Sequence, residues 1–138
     1  MNTVTQLCAT ALLSAAACVS ANAADTAARV TFDGNIRNNS LALSPDEASA
    51  VVSYSERPAI VAYALKTGTV QGVLRGYVTP RNIVFAPDGQ SFYVSDSSLG
   101  SITRIDAASL TTQATLAAGP GAFGTTLSKD GTALYVNN

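Results

Sequence analysis

The turn Ala86-Pro87-Asp88-Gly89 has two counterparts in the chain, Ser44-Pro45-Asp46 before it and Ser128-Lys129-Asp130-Gly131 after it, each at the same offset of 42. The chemistry of the turns is shared. In the first two, proline pre-sets φ at the second position of a type I turn, and in all three an aspartate can bond nearby backbone. Glycine then takes the positive φ needed to re-enter a strand. Apolar runs flank each turn, which is the pattern of a β-hairpin. Glu47 stands where the second copy has Gly89, so the first turn departs from the pattern.

The offset of 42 extends well beyond the turns. Val52 maps to Val94, Ser53 to Ser95, Ile60 to Ile102, Thr69 to Thr111, Gln71 to Gln113 and Leu74 to Leu116, without a gap. The repeats span about 40–81, 82–123 and an incomplete 124–138. Strands are predicted over 41–43, 50–54, 59–63 and 69–74 in the first repeat. Those of the second are 82–86, 91–95, 101–106 and 111–116, and the third begins with 125–128 and 133–136. A further strand is predicted over 29–32, ending at the turn dipeptide Asp33-Gly34.

Four short strands in about 42 residues are what one blade of a β-propeller needs. A β-sandwich has no reason to repeat at a fixed 42. A β-helix or leucine-rich repeat has a shorter period, and helical repeats lack this β-branched, turn-punctuated texture. Apolar residues fall on both faces of the strands (Phe92 and Tyr93, Ile102 and Ile105), as expected of sheets packed between neighbours. The expected fold is therefore all-β: an incomplete propeller of about two and a half four-stranded antiparallel blades.

The first residues have another character. Residues 7–19 form an apolar run rich in Ala and Leu, and Ala21-Asn22-Ala23 offers small residues at the −3 and −1 places of a cleavage site. This predicts a signal peptide over 1–23, leaving a mature chain of 24–138 that is periplasmic or secreted. The run is too short to read as a spanning helix, which needs about 20 apolar residues. Both cysteines, Cys8 and Cys18, fall inside this leader, so the mature chain is expected to lack disulfides and thiol chemistry. Lipid anchoring at Cys18 is the less favoured reading, because Ala15 takes the place of the usual large aliphatic residue.

Composition narrows the chemistry. The 8 Lys and Arg against 9 Asp and Glu give no basic footprint for nucleic acid and no polybasic patch for a membrane. Histidine is absent, which excludes Ser-His-Asp catalysis and histidine metal sites from this stretch. No cofactor and no metal site is expected. Asp46, Asp88 and Asp130 read as turn residues, since equivalent turns of adjacent blades are expected too far apart for their carboxylates to converge.

Tyr93-Val94-Ser95-Asp96 and Tyr135-Val136-Asn137-Asn138 resemble the signature of the YVTN-type β-propeller repeat, and Val51-Val52-Ser53-Tyr54 is a worn copy. Ser101-Ile102-Thr103-Arg104-Ile105-Asp106 resembles that family's third strand and its Asp-containing turn, and Leu116-Ala117-Ala118-Gly119 resembles the end of its fourth. The family's Gly-x-x-Pro is split here: Pro80 keeps the proline and Gly119 keeps the glycine. The resemblance covers residues 40–138. It implies an exported or cell-surface propeller of seven blades, with relatives that include lactonases, a lyase and amine dehydrogenase subunits. No one chemistry travels with the repeat.

In propellers of this type the first strand of each blade lines a central channel, and the loops at one end crowd its mouth. That face would collect Asn39, Arg81, Asn82, Arg57 and Asp96 as candidate ligand-binding residues. Arg81 and Asn82 lead, because a guanidinium fork and a donor-and-acceptor amide suit an anionic or carbonyl-bearing ligand. The competing reading has Asn82 bonded to loop backbone and Arg81 solvated or paired nearby.

A ring of 4–8 blades needs about 170–340 residues, so the chain reads as the N-terminal part of a larger propeller, closed by remaining blades of the same protein. Two functions follow. One is an exported binding or scaffold module that takes a protein, peptide or glycan on the channel face. The alternative is a lactonase-like hydrolase or lyase whose catalytic residues lie mostly in other blades.

Overall fold

The computed structural model describes residues Val4–Leu7 and 40–138. The strand expected over 29–32 and the candidate Asn39 lie outside the described residues, as does the expected leader apart from Val4–Leu7. The described residues are all-β, with eleven strands: β1 (Val4–Leu7), β2 (Leu41–Leu43), β3 (Ser49–Tyr54), β4 (Ala59–Ala64), β5 (Thr69–Leu74), β6 (Pro80–Phe85), β7 (Ser91–Asp96), β8 (Ser101–Asp106), β9 (Thr112–Ala117), β10 (Thr125–Leu127) and β11 (Leu134–Asn137).

Two four-stranded antiparallel sheets, β2-β3-β4-β5 and β6-β7-β8-β9, pair in sequential order, and a hairpin β10-β11 follows with β1 along its far edge. This is the blade, blade and half-blade arrangement expected of the repeat. The registers recur as well: Ser53 faces Ile60 as Ser95 faces Ile102, and Val52 faces Val61 as Val94 faces Thr103. Even the irregularities are shared. A bulge falls between Ala62 and Tyr63 in the first blade and, at the equivalent place one repeat on, between Arg104 and Ile105 in the second. Such bulges twist an outer edge away from flat pairing.

The turns behave as their residues demand. The Gly89 N–H donates to Ala86 O at 2.9 Å, and Gly89 takes φ +70°. Glu47 adopts φ +55° at the equivalent place although it carries a side chain. In the same way Leu110 takes φ +57° where the first blade has Gly68 at φ +68°. The backbone path of the repeat is thus kept even where the glycine is not.

The core lies between blades rather than within one. Val51, Ile60 and Ala62 of the first blade meet Ile83, Phe92, Val94 and Ile105 of the second, all buried. Ile102 and Ala118 of the second blade meet Ala122 and Val136 beyond it. A blade has two apolar faces because each is wanted by a different neighbour. The outer strands need no such cover, and β9 is exposed along its whole length. On the first blade's far face Leu41 and Leu43 are also exposed.

The second sheet begins at Pro80, earlier than the strand start read from the sequence at Asn82. The cause is Asp96 at the end of β7. Pro80 pairs with Asp96, and the register then shifts before Ile83. The Asp96 carboxylate accepts the Val78 N–H at 2.7 Å and the Thr79 N–H at 3.1 Å, which ties the incoming loop to the sheet.

Candidate functional site

The groove at the start of the inner strands is built by residues one repeat apart. Arg81 and Phe123 hold equivalent places in consecutive blades, as do Ser40, Asn82 and Gly124. With Thr125, Thr126 and the end of β11 they line a cavity of ≈ 450 Å³.

Arg81 is half-buried and held at three points. Its Nε donates to Ser97 Oγ at 3.2 Å, and its guanidinium carbon lies 5.3 Å from the centre of the Phe123 ring. Its backbone carbonyl accepts the buried hydroxyl of Ser53 at 3.0 Å. A planar cation over an aromatic face is attracted by the ring quadrupole. Phe123 is 50% exposed, so the pair presents an apolar ring and a cation to the same space.

Asn82 spans three inner strands. Its Nδ2 donates to Thr125 O at 2.6 Å and to Thr125 Oγ1 at 3.0 Å, and its Oδ1 accepts the Ser40 hydroxyl at 3.4 Å. The amide therefore bonds the backbone of a neighbouring blade and fixes the groove floor, while Arg81 and Phe123 form its wall.

The remaining candidates sit apart from this groove. Arg57 is exposed in the turn between β3 and β4. Asp96 is 1% exposed, and besides Val78 and Thr79 it accepts the N–H groups of Ser98 at 3.1 Å and Leu99 at 3.0 Å. Four backbone donors surround one carboxylate, which makes Asp96 the knot of two loops at the same end of the blade. Sequence reading missed Phe123 and Thr125. The signal was available, because Phe123 stands one full repeat beyond Arg81.

At the opposite end the turns are closer than expected. A Cβ built on Gly89 would lie 3.3 Å from Pro45 Cδ, and one on Gly131 would lie 3.0 Å from Pro87 Cδ. Each proline thus seats on the glycine of the next blade's turn, and Asp46, Asp88 and Asp106 line one groove of ≈ 460 Å³. The expectation that such turns lie far apart is corrected here, because blades in contact along their faces also bring their ends together. The carboxylates are nevertheless occupied locally. Asp46 accepts from Ser44 Oγ (2.6 Å) and the Ala48 N–H (3.1 Å), and these hold its carboxyl below the usual range. The N–H and hydroxyl of Ser109 hold Asp106 down in the same way. The Ser128 hydroxyl, aided by Thr132, brings Asp130 to about 2. Among the described residues there is no group of three or more His, Cys, Asp or Glu side chains placed to hold a metal ion.

No protein-family model matches the chain, and no curated protein does. Solved structures do. Hydrazine synthase of Kuenenia stuttgartiensis superposes with a TM-score of 0.67 at 24% identity, covering 70% of this chain and 28% of that one. The protein U3-55K superposes with a TM-score of 0.57 at 16% identity, covering 70% of this chain and 32% of its own. Both contain propellers, and this chain has the same kind of fold, an incomplete β-propeller. It spans less than a third of either neighbour. At these identities the likeness is one of fold alone.

Proposed function

We propose that the chain belongs to an exported propeller of the YVTN type that serves as a binding or scaffold module, taking a protein, peptide or glycan on its channel face. One observation carries this reading: Arg81 and Phe123, equivalent residues of adjacent blades, wall a groove of ≈ 450 Å³ with the guanidinium over the ring. A cation beside a half-exposed aromatic suits a ligand that carries a carboxylate or carbonyl next to an apolar or planar surface. Anchoring by Ser97 reduces the rotamer entropy that Arg81 would otherwise lose on binding. The YVTN-like signature and the leader over 1–23 support export.

The test is a binding screen of the full-length secreted protein against acidic peptides, neutral peptides and acidic glycans. Arg81→Ala and Phe123→Ala should each weaken a hit, and Arg57→Ala should leave it unchanged. Binding that ignores both groove substitutions overturns the reading. Turnover of a lactone by the same protein supports the hydrolase instead. Material recovered from the periplasm or medium should begin at Ala24.

A further inference from the structure

Three loops meet at the channel-mouth end of the second blade: 77–81, 97–100 and 119–123. The Asp96 carboxylate holds the first two together, since Val78 and Leu99 both donate their N–H groups to it, at 2.7 and 3.0 Å. The hydroxyls of Thr79 and Ser98 bond each other, and the Ser97 N–H donates to Thr79 O at 3.1 Å. The third loop is fixed on the second. The Gly121 N–H donates to Ser97 O at 3.0 Å, and the Ala118 N–H to Gly100 O at 2.8 Å. A Cβ on Gly100 would lie 2.8 Å from the Gly119 backbone, an approach that only glycine permits. From this base Val78, Leu99 and Phe123 stand out, 51%, 54% and 50% exposed. Isolated exposed apolar residues are ordinary, but three on loops tied to one another make a patch. The first blade does not share it: Leu99 and Phe123 take the places that Arg57 and Arg81 hold one repeat earlier.

We propose that this patch docks an extended segment of a partner protein in which a carboxylate stands between apolar side chains. The inference rests on the binding role proposed for the channel face, and it narrows the ligand from protein, peptide or glycan to that one class. Charge selects the acid. Arg81 is the one charged residue in the three loops. Its Nε is taken by Ser97, and no carboxylate among the described residues pairs with the rest of its guanidinium. Asp96 is buried and spent on backbone N–H groups. The outer edge of a guanidinium offers two parallel donors, the match for a carboxylate. The apolar residues flank this cation: Phe123 lies against it, and Val78 and Leu99 meet beyond Ser97. The hydroxyls of Thr79, Ser97 and Ser98 are engaged within the loops, which leaves a glycan little to bond. Arginine beside aromatic and aliphatic side chains is the composition of a protein interface core, and loops held in advance lose little freedom on binding.

The probe is the capped heptapeptide Ser-Leu-Ser-Asp-Ser-Leu-Ser, which when extended presents Leu, Asp and Leu on one side. It is titrated into the full-length secreted protein by calorimetry. Beside it run a peptide with Asn for Asp, a peptide with Ser for both Leu, and oligogalacturonate. Saturable binding of the first is expected, weakened about tenfold or more by either change of sequence. Val78→Ser and Leu99→Ser, both at exposed positions, should each weaken it several-fold while leaving the thermal midpoint unchanged. The groove by itself accounts only for losses from Arg81→Ala and Phe123→Ala. If those two act and Val78→Ser and Leu99→Ser do not, the groove stands and the docking surface falls. If none of the four acts, both fall. Equal binding of the asparagine peptide, tighter binding of oligogalacturonate, or no saturable binding of the aspartyl peptide would overturn the proposal.

Discussion

Ser53 and Ser95, equivalent residues of successive repeats, make the same pair of hydrogen bonds. Ser53 Oγ accepts the Ser40 N–H at 2.8 Å and donates to Arg81 O at 3.0 Å. Ser95 Oγ accepts the Asn82 N–H at 3.0 Å and donates to Phe123 O at 2.7 Å. Each serine is fully buried and bridges the first strand of its own blade to the chain entering the next. Asn137 makes the first of these bonds, accepting the Gly124 N–H on Oδ1 at 2.6 Å. The polar third place of the Tyr-Val-Ser-Asp motif is therefore a blade-to-blade fastener.

Removing the fastener exposes its cost. Ser95→Ala takes away the partner of the part-buried Asn82 N–H and of the part-buried Phe123 carbonyl, at up to about 1–3 kcal/mol for each group that water does not reach. Ser53→Ala should lose a similar amount, because its partners are equivalent. Urea unfolding of both variants checks this, and a change within error of zero in both would mean that water replaces the hydroxyl.

The loop knot at Asp96 should be dearer still. Its carboxylate serves four backbone N–H groups, and bonds to a charged acceptor contribute about 1.5–3 kcal/mol apiece. In Asp96→Asn one oxygen becomes an NH2 that confronts these donors instead of accepting them. The expected loss is at least about 3 kcal/mol, with amide exchange of Val78, Thr79, Ser98 and Leu99 accelerated before the rest of the sheet.

Glu47 offers the opposite sign. It is held at φ +55°, a region that costs a residue with a side chain of order 1 kcal/mol or more. Glu47→Gly should gain up to about 1 kcal/mol, the relief being partly offset by glycine's greater freedom when unfolded. Gly89→Ala should lose more than Glu47→Gly gains. It meets both the positive φ of +70° and the Pro45 ring at 3.3 Å. Thermal midpoints of the two variants should move in opposite directions.

Stability should fall at both ends of the pH scale, for different reasons. Asp130 titrates at about 2 in the folded chain against 3.8 when free, so its unfolded form binds protons first. Its contribution is complete above about pH 4 and is lost as the pH falls toward 2, with Asp46 and Asp106 acting in the same direction. Tyr77 is pushed up to about 12 by burial against its ordinary 10.0, so its contribution is complete below pH 10 and is lost as the pH rises toward 12. Ser128→Ala should raise the Asp130 pKa measured by carboxyl NMR, and Tyr77→Phe should flatten the alkaline limb of a pH–melting curve.

The repeat, the strand order and the turn types were legible in the sequence, because each rests on local chemistry: alternating β-branched residues, Pro-Asp-Gly turns and a spacing of 42. Arg81 and Asn82 could be placed on one face for the same reason, since position within a repeat fixes position within a blade. What those side chains touch was decided only by the packing of blades. Asn82 is spent on Thr125 of a different blade, Arg81 on Ser97 and Phe123, and Asp96 on four backbone donors. The nesting of Pro45 on Gly89 and the burial of Val51 and Ala62 against Phe92 belong to the same category. A one-dimensional period says which residues are equivalent. How closely two equivalent surfaces approach depends on the summed volumes of side chains from both blades, and that sum exists only once the sheets are stacked.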